Sequence, residues 1–378
     1  MPSNKKFKTL RDIPHLEGVK VLLRLDLNVP IQKGKVVDDF RIQQSLPTIN
    51  FLLKAGAKVL IVGHLESKEK VSLKVVADHM QKYVPVQFVE NYRNVLPALE
   101  TLSTGECLML ENLRNWEGEK ANDITFAKEL ASLADIYVNE AFSVSHRAHA
   151  SIVGVPKYIP GYAGFLFEDE VKNLSQAFVP ERPFLFILGG AKLETKMPLV
   201  EKFLDRADFV FVGGALANNF FKAQGHEIGV SLFSKQHFNL AEMMKDAKLY
   251  LPEDVMVKNN VGKEVKKPNE VKVGESILDA GEKAVSALAV LARKSKLVVW
   301  NGPLGDYENG FEKGTEELAK VLADSGAKTI VGGGDTLAVI HKLGIEDKFS
   351  FISTAGGAML DFLIAETLPG IDALSKPL

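Results

Sequence analysis

The first half of the sequence places cationic and hydrogen-bonding side chains directly after its short apolar runs. They include Asp26, Asn28, Arg41, His64, Arg114, Asn139, Glu140 and Arg147. Arginine binds phosphate or carboxylate through two parallel N–H donors, and each charge-assisted contact contributes about 1.5–3 kcal/mol. Each arginine alone is equally consistent with an ordinary surface residue, but their placement at successive run ends favours a phosphate or carboxylate site.

The second half ends its apolar runs with glycine-rich loops. These are Gly189–Gly190, Gly213–Gly214, Asn301–Gly302–Pro303, Gly332–Gly334 and Gly356–Gly357. Glycine between a strand and a helix lets main-chain N–H groups approach an anion, and the helix N-terminus adds roughly half a positive charge. One such pair is more simply explained by a turn that needs positive φ. Repetition of the pattern favours a polyphosphate site.

Two lysines and one aspartate accompany these loops. Lys192 and Lys196 are four residues apart at a predicted helix start, so we expect one helical face to present both cations. Solvated lysines are the commoner case, but cations there oppose the helix dipole and a bound phosphate would explain them. Asp335 and Thr336 lie where a helix cap is expected, and Asp335 is equally suited to hold Mg²⁺.

Several familiar sites are excluded. His146 and His149 have the spacing of metal ligands, but no HExxH motif or cysteine cluster accompanies them, so phosphate-binding imidazoles fit better than zinc ligands. The sequence has no G-x-G-x-x-G, no Walker A loop, and no HRD or DFG motif. A standard dinucleotide-binding fingerprint, a P-loop enzyme and a protein kinase are therefore not supported.

Apolar runs without polar alternation recur along the chain, each followed by a stretch of helical period. Such strands belong to parallel sheets buried on both faces, so the pattern predicts the α/β class with two sheets. A length of 378 residues agrees with two domains of about 150 residues or more. Phe167 to Phe178 predicts a helix connecting them, and the last residues either fray or dock on an existing surface.

Composition limits the partners. With 46 Lys plus Arg and 48 Asp plus Glu, the net charge is -2, which offers no general field for nucleic acid or an anionic membrane. The single cysteine, Cys107, lies in an apolar run and is expected to be a buried thiol in a reducing compartment. No run approaches the roughly 20 apolar residues of a membrane span. We expect a cytoplasmic protein with small-molecule partners.

Ten sequence motifs around the run ends occur in order along the whole chain. They are RLDLNVP (24–30), FRIQQSLPTI (40–49), GHLESK (63–68), LMLENLR (108–114), NEAFSVSHRAHAS (139–151), ILGGAKLETK (187–196), VGGALANNF (212–220), WNGPLGDYE (300–308), VGGGDT (331–336) and STAGGAML (353–360). Together they resemble the motifs of the phosphoglycerate kinase family. The resemblance implies reversible phosphoryl transfer between 1,3-bisphosphoglycerate with MgADP and 3-phosphoglycerate with MgATP, in glycolysis, by a monomer.

The resemblance also implies a domain organisation. It is that of a bilobed α/β enzyme with two Rossmann-like three-layer α/β/α domains, mainly parallel sheets and an interdomain cleft. The expected bounds are 1–166 plus 362–378 for the phosphoglycerate-binding domain, 167–180 for a hinge helix and 181–361 for the nucleotide-binding domain. The C-terminal tail would thus fold back onto the first domain.

Site residues follow by motif position. The implied phosphoglycerate ligands are Asp26, Asn28, Arg41, His64, Arg114 and Arg147. The implied nucleotide ligands are Gly190, Ala191, Lys192, Lys196, Gly214, Asn301, Pro303, Glu308, Gly333, Gly334, Asp335 and Thr336, with Asp335 handling Mg²⁺. We expect Arg41, Lys192 and the N–H groups of Gly356 and Gly357 to surround the transferring phosphoryl group.

The sequence departs from the family at several positions. Ser67 replaces a substrate-binding arginine and Glu66 a glycine, so we predict weaker 3-phosphoglycerate binding, with Lys68 as a single point charge nearby. Other departures are Glu140, Ser143, Thr195, Ala215 and Ala355. These changes keep two alternatives open: a divergent paralogue that binds nucleotide with weak or no turnover, and an unrelated nucleotide-dependent enzyme.

Overall fold

The computed structural model describes residues 7–66, 71–236 and 238–375, and the chain divides into two compact units. The first contains the described residues of Met1–Lys172 and Thr367–Leu378, and the second contains those of Asn173–Glu366. No helix in the described part of the chain is long and apolar enough to cross a bilayer.

The first unit is built on a parallel sheet. Its strands and a short hairpin are β1 (Lys20–Arg24), β2 (Ile31–Gln32), β3 (Lys35–Val36), β4 (Lys58–Val62), β5 (Val86–Val89), β6 (Cys107–Leu110), β7 (Ile136–Asn139) and β8 (Gly161–Ala163). The strand order is β5-β6-β4-β1-β7-β8, and β2 pairs with β3. The central strands are buried almost throughout, as the continuous apolar runs predict. Cys107 is buried, and burial raises its pKa to about 12.

Helices cover both faces of this sheet. They are α1 (Phe40–Lys54), α2 (Lys74–Met80), α3 (Val95–Thr101), α4 (Glu117–Ala121), α5 (Ile124–Ala131) and α6 (Phe165–Leu174). Ile49 and Leu52 of α1 join Leu23 and Ile61 in the core cluster of the unit. That packing fixes the helix whose first turn carries Arg41.

The connecting helix α6 starts earlier and ends earlier than the sequence predicts. The carboxylate of Glu140 accepts hydrogen bonds from the N–H groups of Leu166 (3.1 Å) and Phe167 (3.3 Å). Because these first-turn donors are satisfied by a side chain, the helix begins at Phe165. A 3-10 turn, Ser175–Ala177, follows its end at Leu174.

The second unit has its own parallel sheet. Its strands are β9 (Phe184–Leu188), β10 (Phe209–Val212), β11 (Leu249–Tyr250), β12 (Val255–Lys258), β13 (Lys263–Lys266), β14 (Ser276–Ala280), β15 (Leu297–Asn301), β16 (Lys328–Gly332) and β17 (Phe351–Ile352). The parallel order is β11-β10-β9-β15-β16-β17, and β13-β12-β14 form a separate antiparallel sheet. Parallel sheets with helices confirm the α/β prediction.

Most helices of the second unit follow its parallel strands. They are α7 (Leu193–Arg206), α8 (Ala215–Ala223), α9 (Leu240–Met243), α10 (Glu282–Lys294), α11 (Lys313–Ala323), α12 (Gly334–Leu343) and α13 (Gly357–Ala365). Helix α13 stays in this unit because Phe362 packs on Phe178, with ring centroids 5.4 Å apart, and Glu366 pairs with Lys202 and Arg206. The unit therefore ends at Glu366 and not at residue 361.

The chain then returns to the first unit as helix α14 (Pro369–Ser375). The Gly370 N–H donates to the Ser145 carbonyl at 2.9 Å. A Cβ on Gly370 would lie 2.6 Å from the Ser145 side chain, so only glycine allows this approach. Of the two alternatives for the last residues, fraying or docking, the structure shows docking for residues up to Ser375.

Candidate active site

Arg41 is positioned at the carboxyl edge of the first sheet by an acidic partner. Its Nη1 lies 2.6 Å from Asp26 Oδ2 and 3.4 Å from the Asn28 carbonyl oxygen. Asp26 also accepts a hydrogen bond from the Ser143 hydroxyl at 2.5 Å. The Asn28 side-chain oxygen accepts from the Glu66 N–H at 2.9 Å. Asp26 and Asn28 therefore orient an arginine and a loop at this edge.

His64 follows β4 and is held by a buried arginine, Arg24, which the sequence analysis did not single out. Arg24 Nη2 donates to His64 Nδ1 at 3.3 Å, and Arg24 Nε donates to the Ser151 hydroxyl at 2.9 Å. Burial, together with the charge of Arg24, lowers the pKa of His64 well below its usual range. Because arginine only donates, the proton of this neutral ring lies on Nε2, which makes His64 a hydrogen-bond donor there.

Arg114 has buried donors that are available to bind an anion. Its Nε and Nη2 atoms are buried and have no hydrogen-bond partner in the described part of the chain, while its Nη1 lies 3.5 Å from His149 Nε2. Buried donors without partners are costly, and charged ones more so. A phosphate or carboxylate group would satisfy both.

Asn112 fixes the two ends of the segment after His64. Its Oδ1 accepts from the N–H groups of Leu65 (3.2 Å) and Arg114 (3.1 Å), and its Nδ2 donates to the Val71 carbonyl at 2.9 Å. The sequence signal for this role is weak, since an asparagine after a strand usually marks a turn. Ser67 and Lys68, which carry the predicted loss of an arginine, lie outside the described residues.

Further cationic groups surround Arg114. Arg147 Nη1 lies 3.4 Å from Glu66 Oε2, and Arg147 Nε lies 3.2 Å from His146 Nε2. Burial, and then the charges of Arg114 and Arg147, lower the pKa of His149 to about 4. No group of three or more candidate metal ligands occurs within the described ranges.

The pKa of His149 predicts acid sensitivity. An unfolded histidine has a pKa near 6.5. Between about pH 6.5 and 4, His149 is therefore protonated in the unfolded chain but neutral in the folded chain. Stability should therefore fall as pH falls through this window. Urea unfolding of the wild type at pH 7.5 and 5 should show a larger loss of midpoint than the same measurement on His149→Gln. Equal losses in the two proteins would contradict the assignment.

The second unit carries a cavity of about 540 Å³ beyond its glycine loops. Predicted site residues that line it are Gly190, Ala191, Lys192, Gly214, Pro303, Glu308 and Asp335. Apolar side chains, among them Phe221, Leu232 and Ile277, line other parts of it. A cavity with cationic, acidic and apolar walls suits a nucleotide.

Three glycines in two of these loops serve the packing of one loop on another. The N–H groups of Gly189, Gly190 and Gly302 donate to Asn301 O (2.9 Å), Pro303 O (2.8 Å) and Thr336 Oγ1 (3.1 Å). The glycine pattern predicts that these N–H groups face an anion. For the N–H groups of Gly189, Gly190 and Gly302 that prediction is wrong. A Cβ on Gly189 would lie 2.2 Å from the Pro303 carbonyl oxygen, so glycine is needed for close approach.

The prediction that one helical face presents both Lys192 and Lys196 is wrong. Lys192 is exposed at the N-cap of α7, whereas Lys196 is buried and its Nζ donates to the Gly189 carbonyl at 2.5 Å. Burial lowers the pKa of Lys196 to about 8, while Asp335 opposes this shift and Lys192 adds to it. The Lys196 side chain therefore supports the loop at Gly189, whereas Lys192 lines the cavity.

Asp335 and Thr336 are not helix caps. Gly333, with φ 104° and ψ 128°, precedes the first residue of α12, so both side chains lie in its first turn. Thr336 is buried and holds the loop at Gly302, while Asp335 is exposed and lines the cavity beside Gly334. Asn301 is buried, with Nδ2 3.5 Å from Met359 Sδ.

The loop before α13 is open. Gly356 has φ 56° and ψ -120°, a conformation that favours glycine, and helix α13 starts at Gly357. A Cβ on either glycine would meet nothing within 4 Å. The space next to these two residues is therefore available to a ligand.

Comparisons with known proteins agree with this chemistry. A family model described as phosphoglycerate kinase matches residues 10–366. Curated phosphoglycerate kinases of Moorella thermoacetica and Herpetosiphon aurantiacus are 41% and 42% identical, over 97% of this chain and 99% of each relative.

Solved structures give the same result. The phosphoglycerate kinase of Coxiella burnetii matches with a TM-score of 0.85 and 38% identity over 98% of both chains. That of Pyrococcus horikoshii matches with a TM-score of 0.85 and 31% identity over 97% of this chain and 98% of its own. This chain therefore belongs to the phosphoglycerate kinase family.

Proposed function

We propose that the chain catalyses reversible phosphoryl transfer between 1,3-bisphosphoglycerate with MgADP and 3-phosphoglycerate with MgATP. The observation that carries the residue assignment is Arg114, whose two buried donors lack partners in the described structure within a cluster of cationic side chains. Similarity along nearly the full chain to curated phosphoglycerate kinases gives no support to a paralogue without turnover.

The first unit would hold the phosphoglycerate. Arg41, Arg114 and Arg147 would bind its phosphate and carboxylate oxygens through charge-assisted hydrogen bonds. His64, protonated on Nε2, would add a neutral donor. Asp26 and Asn28 would keep Arg41 and the loop at Glu66 in place, which is what their present contacts support.

The second unit would hold the nucleotide in the cavity beside the glycine loops. Lys192 would contact phosphate oxygens, and Gly190, Ala191, Gly214, Pro303 and Glu308 would form the walls. Lys196 and Thr336 would act indirectly, because their side chains hold the loops at Gly189 and Gly302. Asn301, whose side chain contacts Met359 Sδ, would also act indirectly.

Mg²⁺ fits this cavity. Magnesium is commonly bound by one or two carboxylates together with substrate phosphates, and the exposed carboxylate of Asp335 lines the cavity at the start of α12. When bound, Mg²⁺ would neutralise phosphate charge. Asp335 would hold it, and Gly333 and Gly334 would leave room for the phosphates.

Catalysis would depend on alignment and charge. Phosphoryl transfer needs positioned reactants and stabilisation of charge on the equatorial oxygens. Arg41, Lys192 and the N–H groups of Gly356 and Gly357 would supply that charge, and no residue would form a covalent intermediate. Because the two sets of ligands belong to different units, we propose hinge bending about α6 that joins them and excludes water.

A coupled assay tests the function. ATP-dependent phosphorylation of 3-phosphoglycerate, with the product reduced by an NADH-dependent dehydrogenase, should show saturable turnover that requires both substrates and Mg²⁺. Absence of turnover with intact nucleotide binding would favour the divergent paralogue. The family resemblance also supports a cytoplasmic, glycolytic monomer, and sedimentation velocity of the purified chain tests the oligomeric state.

Ser67 is expected to weaken phosphoglycerate binding. Restoring a bidentate guanidinium by Ser67→Arg should lower the KM for 3-phosphoglycerate about tenfold, because one charge-assisted contact is worth about 1.5 kcal/mol or more. The KM for ATP should stay within twofold. Lys68→Arg controls for a guanidinium elsewhere in the loop, and equal effects of the two variants would contradict the prediction.

Asp335 is expected to carry the metal dependence. Calorimetric titration of the wild type with ATP should show tighter binding with Mg²⁺ than with EDTA. In Asp335→Asn the difference should shrink, because the carboxylate ligand is lost. Asp324→Asn, an exposed aspartate that follows α11, is the matched control. A full magnesium effect in Asp335→Asn would remove this residue from the metal site.

A further inference from the structure

Glu66 brings a carboxylate to the cationic cluster of the first unit. Its Oε2 lies 3.4 Å from Arg147 Nη1, and its N–H donates to Asn28 Oδ1 at 2.9 Å. The backbone of Glu66 is thus held by one proposed ligand residue while its side chain faces another. The family resemblance indicates glycine here, so the carboxylate is a property of this chain.

The charge of Glu66 acts on Arg114 as well as on Arg147. Burial lowers the pKa of Arg114, and the carboxylates of Glu119 and Glu66 oppose part of that shift. Glu119 is fully buried and accepts from both the N–H and the hydroxyl of Ser151. Glu66 is exposed and its contact with Arg147 is long. Of these two carboxylates, Glu66 is the one that an incoming anion can replace.

The two carboxylates therefore act differently on a ligand. Glu119 is buried and hydrogen-bonded to Ser151, so its negative charge stays in place whether or not a ligand is bound. Glu66 occupies Arg147 with an exposed ion pair, which is weak and screened by salt. A phosphate group offers Arg147 a bidentate contact that a carboxylate at 3.4 Å from one nitrogen does not match.

We infer that Glu66 is a specificity-determining residue that competes with the substrate anion for Arg147. This inference rests on the proposed function, since it assumes that Arg147 binds 3-phosphoglycerate. Glu66 raises the KM for 3-phosphoglycerate and disfavours small anions that cannot displace it. It leaves nucleotide binding and kcat alone, because its charge acts on the binding of one substrate.

The test compares Glu66→Gln with the wild type. Removing one negative charge beside the anion should lower the KM for 3-phosphoglycerate about 3- to 10-fold at low ionic strength, and less at 0.5 M salt. The inhibition constant of sulfate against 3-phosphoglycerate should fall by a similar factor. Both kcat and the KM for ATP should stay within twofold. Asp78→Asn, which breaks the exposed ion pair with Lys74, should change none of these values.

Arg147→Ala tests the route of the effect. In that background Glu66→Gln should change the KM for 3-phosphoglycerate by less than twofold. Glu66→Gly gives an independent removal of the carboxylate, and equal thermal midpoints confirm that the variants fold. An unchanged or higher KM and sulfate constant in both Glu66 variants would overturn the inference. If the wild type itself lacks turnover, the proposed function fails, while calorimetric sulfate binding still decides the role of Glu66.

Discussion

Lys192→Ala is expected to lower kcat about 100- to 1000-fold. That is the usual cost of removing one preorganised charge or donor from a site where negative charge develops. Lys192 suits this role because it is exposed at the start of α7 and lines the cavity. Steady-state rates with both substrates saturating measure the effect, and an unchanged thermal midpoint shows that the fold is kept.

Lys283→Ala is a matched control for this variant. Lys283 is likewise an exposed lysine near a helix N-terminus, at the second residue of α10, but it does not line the cavity. Its removal should leave kcat within twofold. Near-normal turnover of Lys192→Ala would show that the lysine is an ordinary surface cation and that the assignment of the transferring group is wrong.

Gly214→Ala is expected to raise the KM for ATP more than tenfold. A Cβ at this position would lie 2.6 Å from Gly190 N and 2.9 Å from the Pro303 carbonyl oxygen, both backbone atoms. The residue also has φ 60° and ψ -156°, a region that costs a residue with a side chain about 1–3 kcal/mol. Relief requires the loops at Gly190 and Pro303 to separate, which changes the shape of the cavity proposed to bind the nucleotide.

Gly225→Ala isolates the strain from the clash. Gly225 has φ 83°, but a Cβ there would meet nothing within 4 Å. It should lose some thermal stability and keep its KM for ATP. Calorimetric binding of 3-phosphoglycerate should be unchanged in both variants, because the site proposed for it belongs to the other unit. Equal KM values for ATP in the two variants would contradict the proposed role of the loop contacts.

The fold could be predicted where local pattern and burial agree. Runs such as FLFIL at 184–188 are apolar at every position, and they form strands buried on both faces. The antiparallel sheet of β12, β13 and β14 was not predicted. Its strand β13, Lys263–Lys266, is charged and mostly exposed, so its pairing depends on partners that hydropathy does not reveal.

The site could be predicted only in part, for a related reason. Residue type and position after a strand were enough to select Arg41, Arg114 and Lys192 as candidates, and their role stays a prediction. The same reasoning placed Lys196 with Lys192 on one helical face, although the Gly189 carbonyl gives Lys196 a buried partner. It also passed over Arg24, which sits within an apolar run and is satisfied by the distant Ser151 and His64. Contacts far apart in sequence decide both cases.

Docking of α14 has a consequence for biosynthesis. Leu374 comes within reach of Gly161 in β8, and Gly370 bonds to Ser145, so the first unit is completed by residues that the ribosome adds only after the whole of the second unit. The second unit, which ends at Glu366, has all of its sequence earlier. During translation most of the first unit is synthesised before the second unit. Its packing is therefore completed only after the second unit has been synthesised.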